Sequence, residues 1–396
     1  MVEDSEVRHL TTAEVAQQLG VKPATVYAYV SRGILTKVEG SDRHGSLFLE
    51  DEVIRLARRR RDSGRGGTLD DITTAISAIE DNQLRYRGRE VVDLVASQSV
   101  ESVASLLWTG ELGPQQLLDA PADVLAATGA AVASLGADVR STDRMRVAVT
   151  VAGARDLLRF DLSTDAVLRT AATILAVEAA CFGPAPATAE TLGQRLWPGM
   201  TDRPARADLL DATLILLADH GFAVSTVAVR VAASARVHPY GTVGAGLGAV
   251  DSQYHGAAST LAYRFLRDAI DDPLGTLSER LRLGGRPPGF GHLIYRTRDP
   301  RAEVLLTMLR TVPEAGPALR ALDTVTAHLG RSRTVFPNID LALAVLMHAF
   351  AMRSDAGEAI FAIARTIGWI AHTLEEYTES PLRFRPTGTR TATAHI

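Results

Sequence analysis

The distribution of apolar and polar positions divides the chain in two. Up to about residue 61 the apolar positions come in short blocks separated by turns, whereas beyond residue 68 long Ala/Leu/Val-rich runs with helical spacing continue almost to the end. Thr11 and Glu14 have the spacing of a capping box, and Val15, Ala16 and Leu19 then predict a short helix ended by Gly20. Pro23 suits the first turn of a second helix reaching Val30, with Val26 and Val30 turned to a core and Thr25, Tyr27 and Tyr29 on other faces. Two strand-like runs, 35–38 and 46–49, flank a polar stretch and predict a hairpin, or wing, before a helix over about 50–61. Ser63-Gly64-Arg65-Gly66-Gly67 reads as a flexible linker. In the second part, Leu209, Leu210, Thr213, Leu214 and Leu217 make a broad apolar helix face that closes on Asp219-His220. Strand signals there are few, a Gly/Pro-rich loop covers 283–291, and a tail after Thr387 is expected to be exposed. The expectation is a small helix-turn-helix domain with linker over 1–67 and a mainly α domain over 68–396.

Composition narrows the class. With 396 residues, 46% of them hydrophobic, the chain has material for two or three domains with sizeable cores. No run approaches the roughly 20 apolar residues of a membrane helix, and Met1 to Arg8 carries acids where a secretory signal has bases, so a cytoplasmic protein without a membrane partner is expected. Cys181 is the only cysteine, which excludes an intramolecular disulfide and a cysteine-based zinc site. The net charge of −4 does not point to nucleic acid, yet Arg55, Arg58, Arg59, Arg60, Arg61 and Arg65 face only Asp62 within 53–67, a local basic patch.

Two motifs mislead. The stretch from Gly244 to Ala249 fits a dinucleotide fingerprint but lacks a preceding strand, so small residues at a helix contact account for it better. His372 with Glu375 or Glu376 stands one helical turn apart, but further metal ligands are missing nearby and a structural pair is the better reading. Three other spots carry more chemistry. His255 follows a break at Asp251-Ser252 and lies near a helix start, where the dipole would keep it neutral. His292 follows Gly289-Phe290-Gly291, and Arg296, Arg298 and Arg301 come soon after, which suits a polyanion. Asp340 stands with Asn338 at the mouth of an apolar helix, where a plain N-cap is the competing explanation.

Residues 10–61 resemble the DNA-binding domains of the MerR and excisionase type. The order of the remaining motifs resembles the citrate synthase family across 70–386: Leu84-Arg85-Tyr86-Arg87-Gly88, the stretch 102–112, Asp219-His220 with Ser225-Thr226 and Arg230, His255-Gly256, the run 289–301, Asn338 to Asp340, the helix Arg365 to His372, and Arg385-Pro386. This resemblance implies an all-helical fold of a large domain and a smaller one, about 255–345, that closes over the substrates. It implies a dimer that condenses a short acyl-CoA with oxaloacetate, with acyl-CoA as substrate and no metal or other cofactor. Asp340 would be the base, His255 the donor to the thioester oxygen, and His292 the donor to the keto carbonyl. His220, Arg301, Arg365 and Arg385 would hold oxaloacetate, Arg385 reaching in from the second subunit. Arg296, Gly289 and Gly291 would meet coenzyme A. On the N-terminal domain, Lys22, Thr25, Tyr29, Arg43, Arg58 and Arg59 would face DNA.

Three departures from the family pattern touch the pocket. Ala223 stands where the family usually has Asn, Ser252-Gln253-Tyr254 replaces Gly-Pro-Leu, and Leu293 replaces a common Arg. They bear on the choice of acyl donor more than on the reaction. The competing expectations are a 2-methylcitrate synthase using propionyl-CoA and a transcriptional regulator whose synthase-like part senses a metabolite.

Overall fold

The computed structural model describes residues 9–19, 21–31, 35–38, 46–50, 52–53, 72–113, 118–136, 138–183, 189–252, 255–329 and 335–385. These fall into two compact units, one of residues up to Ile72 with 383–385, the other spanning Thr73–Leu382.

In the first unit the predicted capping box forms at the helix Thr12–Leu19: the Thr11 backbone N–H donates to Glu14 Oε2 at 2.7 Å and the Glu14 N–H to Thr11 Oγ1 at 3.4 Å. Val15, Ala16 and Leu19 are buried with Val26, Leu35, Phe48 and Val53 in one small core. The second helix, Pro23–Ser31, follows as expected. Of the predicted wing only the two flanking runs are described; its turn, 39–45, lies outside the described residues, as do position 51, residues 54–61 of the expected following helix and the linker 63–67. The strand Leu47–Leu49 pairs antiparallel with His9–Thr11, in register Leu10 to Phe48, and Val38 contributes one bond to the Leu47 carbonyl at 2.9 Å. The edge offered by the residues just before the first helix was free to take the pairing, and periodicity within 35–49 carries no information about that edge.

The second unit is helical apart from a three-stranded meander of Ser77–Glu80, Gln83–Tyr86 and Arg89–Glu90. Both of its turns use consecutive left-handed residues, Asp81 (φ 51°) with Asn82 (φ 61°) and Arg87 (φ 48°) with Gly88 (φ 81°), the pattern of a tight two-residue hairpin turn. Composition hid this sheet, because Arg85, Arg87 and Arg89 occupy much of it. Two helices form the centre of the unit. Ala207–Leu217 is buried all round from Leu209 onward except at Asp211, more than the single face its spacing predicts, and Ala356–Tyr377 is buried over nearly all of its 22 residues. They pack on each other and on Val100–Thr109, while Ala356–Tyr377 also meets Thr164–Ala180, Val224–Ser234 and Pro239–Val250. The glycine-rich stretch lies inside the helix Pro239–Val250, and a Cβ at Gly246 would stand 2.7 Å from the Trp369 ring, so small residues serve helix contact there. Four further helices, Ala257–Asp271, Pro273–Arg282, Gly316–Leu329 and Ile339–Ala349, pack against one another. Among the described residues no helix is long and apolar enough to cross a membrane, and no group of three or more His, Cys, Asp or Glu is placed to hold a metal ion.

Candidate active site

The site is assembled where the loop after Ala207–Leu217 meets the glycine segment 289–291. Asp219-His220 is fixed from below by Tyr86, whose hydroxyl donates to the carbonyls of Ile215 (3.0 Å) and Asp219 (2.9 Å) and accepts from the Asp219 N–H at 3.0 Å. The buried Asp219 carboxylate accepts from the Ser77 hydroxyl, from the Gly221 N–H at 3.1 Å and from His372 Nε2 at 3.2 Å. His372 Nδ1 in turn accepts from Arg230 at 3.0 Å, and Arg230 pairs with Glu375 and Glu376. His372 is therefore a buried structural link, as the missing ligands implied, and its partners Asp219 and Arg230 come from two other elements of the fold.

His220 is nearly buried, with its ring against His292 at 5.1 Å between centroids and its Nε2 3.1 Å from the Tyr295 hydroxyl. Burial first, then Arg301 and Arg365, hold its pKa well below the ordinary value. Any hold it has on an anion is therefore a hydrogen bond rather than a charge. His292 accepts at Nδ1 from the N–H groups of Ile294 (3.0 Å) and Tyr295 (3.2 Å), so its proton sits on Nε2 and is free to be donated. Burial and the Arg301 charge bring its pKa down to about 4. His255 precedes the helix Ala257–Asp271 and is likewise held at about 4, by burial and then by Arg365. Its Nε2 lies 2.8 Å from the Ser225 hydroxyl. With Ser225 donating, the His255 proton is placed on Nδ1.

Asp340 sits in the first turn of Ile339–Ala349, and the N-cap role belongs to Asn338, whose Oδ1 accepts from the N–H groups of Asp340 (3.0 Å) and Leu341 (3.3 Å). That frees Asp340, whose carboxylate has no hydrogen bond among the described residues. Burial raises its pKa to about 6, against the pull of Arg301 and Arg365 and with help from Asp299. The glycine segment binds this helix start to His292: Asn338 N–H donates to the Gly289 carbonyl (2.9 Å), Asn338 Nδ2 to the Gly291 carbonyl (3.0 Å), and Gly291 N–H to the Phe336 carbonyl (2.7 Å). Gly289 has φ 82°, and a Cβ there would stand 2.7 Å from that of Leu341. Packing thus accounts for glycine at 289.

The three arginines that follow His292 separate. Arg296 is exposed, and its backbone N–H donates to Asn82 Oδ1 at 2.8 Å. Arg298 pairs with Glu303 at 2.8 Å. Arg301 turns inward, almost fully buried, and makes a bidentate pair with Asp299 at 2.9 and 2.8 Å while lying 5.2 Å over the Tyr295 ring. Burial works against its charge but the Asp299 carboxylate outweighs it, so the pKa is raised. Arg365 is also buried, 4.7 Å over the Phe361 ring, with Nε donating to the Leu217 carbonyl at 3.1 Å and Nη1 without a partner among the described residues. Burial lowers its pKa. A buried guanidinium with a spare N–H and no carboxylate in contact suits an incoming anion.

The structure thus brings His220, His255, His292, Arg301, Arg365 and Asp340 into one electrostatic neighbourhood. Arg385 is exposed and groups with the other unit. In the N-terminal unit Lys22 is exposed and Thr25 half-buried, but Tyr29 packs against the core and Tyr27, 55% exposed, is the outward aromatic of that helix. Arg43, Arg58 and Arg59 lie outside the described residues, as do Gln253 and Tyr254. Ser225, Tyr295 and Asp299 stand in the motifs quoted above without a role assigned to them, and Phe361 stands in none; Asp299 carries a local signal as well, a carboxylate before Pro300 at a helix start.

The chain matches the family model for the citrate synthase C-terminal domain over residues 68–387 and that for a helix-turn-helix domain over 10–61. It is 29% identical over 340 residues to a citrate synthase of Haloferax volcanii, covering 77% of this chain and 90% of that protein. It is 28% identical over 346 residues to a 2-methylcitrate synthase of Mycobacterium tuberculosis, covering 81% and 88%. In fold it resembles the ternary complex of a citrate synthase from the thermophilic archaeon Thermoplasma acidophilum with carboxymethyl coenzyme A and oxaloacetate, with a TM-score of 0.71 at 24% identity over 83% of this chain and 95% of that one.

Proposed function

The chain belongs to the citrate synthase family, and we propose that it condenses acetyl-CoA with oxaloacetate to citrate and coenzyme A through Asp340, His255 and His292. The observation that carries this reading is the shared charge environment: a carboxylate without a hydrogen bond among the described residues, its pKa raised to about 6, feels the same Arg301 and Arg365 that help hold His292 and His255 at about 4. Asp340 takes a proton from the methyl group of the thioester, a weak carbon acid. His255 donates its Nδ1 proton in a hydrogen bond to the thioester oxygen, where negative charge develops. The enol carbon attacks the keto carbon of oxaloacetate while His292 donates its Nε2 proton to the carbonyl oxygen. Water then cleaves the citryl thioester, releasing citrate and the coenzyme thiol. Arg301, the spare N–H of Arg365 and neutral His220 hold the dicarboxylate, and Arg385 of a second subunit completes the set. Arg296 meets a phosphate of coenzyme A, beside Gly289 and Gly291. The chemistry calls for no metal and no redox cofactor. The test is thiol release from a panel of acyl-CoAs with oxaloacetate: release that requires oxaloacetate supports the assignment, and its absence with every acyl donor refutes it.

One observation favours a second substrate. Ala223 stands where the family pattern usually has Asn, and relatives at nearly equal identity include a 2-methylcitrate synthase. One methylene is worth about 1 to 3 kcal/mol in a pocket, so propionyl-CoA is expected within about a hundredfold of acetyl-CoA in kcat/KM.

A further inference from the structure

A polar cluster outside the pocket brackets the segment that carries His255. Arg140, just before the helix Ser141–Arg155, donates from Nη1 to Asp251 at 3.0 Å and from Nη2 to Glu358. Asp251 is four residues ahead of His255 and also pairs with Arg146 at 3.2 Å. Glu358, whose side chain is only 5% exposed, accepts from the Thr260 hydroxyl at 2.5 Å, five residues beyond His255. One guanidinium therefore ties the chain before the histidine to a carboxylate that holds the chain after it. Between these anchors the turn is tight: the Gly256 N–H donates to the Val250 carbonyl at 2.8 Å, and a side chain at 256 would run into that carbonyl. Glu358 also stands three residues before Phe361, whose ring meets His255 edge-on at 5.4 Å, and seven before Arg365. Positions 358, 361 and 365 lie along one helix face. A single face of Ala356–Tyr377 thus carries the clamp, the histidine contact and the anion group in succession.

We propose that Arg140, with Asp251, Glu358 and Thr260, positions His255 for enolisation, an inference that rests on the condensation reading above. None of the four needs to touch substrate. Their effect is to fix where the Nδ1 proton points, and a displacement of about 1 Å at such a group lowers a rate by as much as a hundredfold. Glu358 without Arg140 would be a nearly buried carboxylate lacking its cation, so loss of Arg140 loosens both anchors.

The experiment compares Arg140→Gln, Thr260→Val and Arg140→Lys with the parent enzyme. Arg140→Gln is expected to lower kcat by about tenfold or more, with the KM for oxaloacetate changed less than about twofold, because the loss falls on the enolisation step. The primary deuterium isotope effect with methyl-deuterated acetyl-CoA should rise in step, and Arg140→Lys should recover part of the rate. Thr260→Val removes one hydrogen bond and should show the same trend more weakly. Folded Arg140→Gln enzyme with parental kcat and an unchanged isotope effect overturns the proposal, as does a change confined to melting temperature. A parent enzyme that condenses no acyl-CoA refutes the function instead. The histidine 15N spectrum then decides the clamp: His255 ring signals moved by Arg140→Gln support it, and unmoved signals overturn it.

Discussion

At the residue scale the site is a set of three groups whose proton positions are fixed by different means. Two backbone donors fix the His292 proton on Nε2, the Ser225 hydroxyl places that of His255 on Nδ1 when it donates, and desolvation favours the protonated Asp340 carboxyl. Asp340→Asn keeps volume and should lower kcat by orders of magnitude while oxaloacetate binding, measured by calorimetry, changes little. Its pKa of about 6 also sets a pH limb. Below that value the carboxyl holds the proton it must accept, so kcat/KM should fall on the acid side with an apparent pKa near 6, and this limb should be absent in any residual activity of Asp340→Asn. The same shift has a sign for stability. The folded pKa is above the unfolded one, so ionisation opposes folding once pH passes the unfolded value, and the full cost of about 1 to 3 kcal/mol is felt above pH 6. Asp340→Asn should therefore melt higher than the parent at pH 8 and close to it at pH 4.

At the scale of elements, the glycine segment and the helix start at Asn338 act as one piece. Gly289→Ala places a side chain on a left-handed residue and against Leu341 and Ala262. The substitution should destabilise by about 2 kcal/mol or more, measured by denaturant titration, and should lower kcat because His292 and Asp340 are joined through this contact. A Gly289→Ala protein with parental stability would show that the backbone relaxes without penalty.

At the scale of the whole molecule two expectations concern partners. Arg385→Ala should raise the KM for oxaloacetate, and mixing it with inactive Asp340→Asn should give hybrid dimers that own one site free of either defect. Hybrids with no recovered activity would place Arg385 outside the partner's site. The helix-turn-helix domain carries Lys22 and Tyr27 on its outer surface and a run of arginines at 58–61. If it holds DNA, polarisation titrations should show binding that weakens steeply with salt and disappears on deleting residues 1–67, since phosphate contacts release counterions. Binding that survives the deletion would assign the contact elsewhere.

The sequence alone determined what local rules and ordered motifs control. The capping box at Thr11, the burial of Val15, Ala16 and Leu19 and the helical character beyond residue 72 are all local: each depends on a spacing, or on a residue type at a fixed place in a motif. Tertiary structure decided pairing, charge state and connection. The strand Leu47–Leu49 took a partner nearly forty residues away because an edge was free there, and no run of residues encodes an edge. His220 is kept neutral by its burial and then by Arg301 and Arg365, a desolvation and Coulomb effect that exists only once distant segments meet. Arg296 and Arg301 are five residues apart and chemically identical, yet one faces solvent and the other is locked to Asp299 beneath Tyr295. Burial separates them, and burial is a property of the packed molecule.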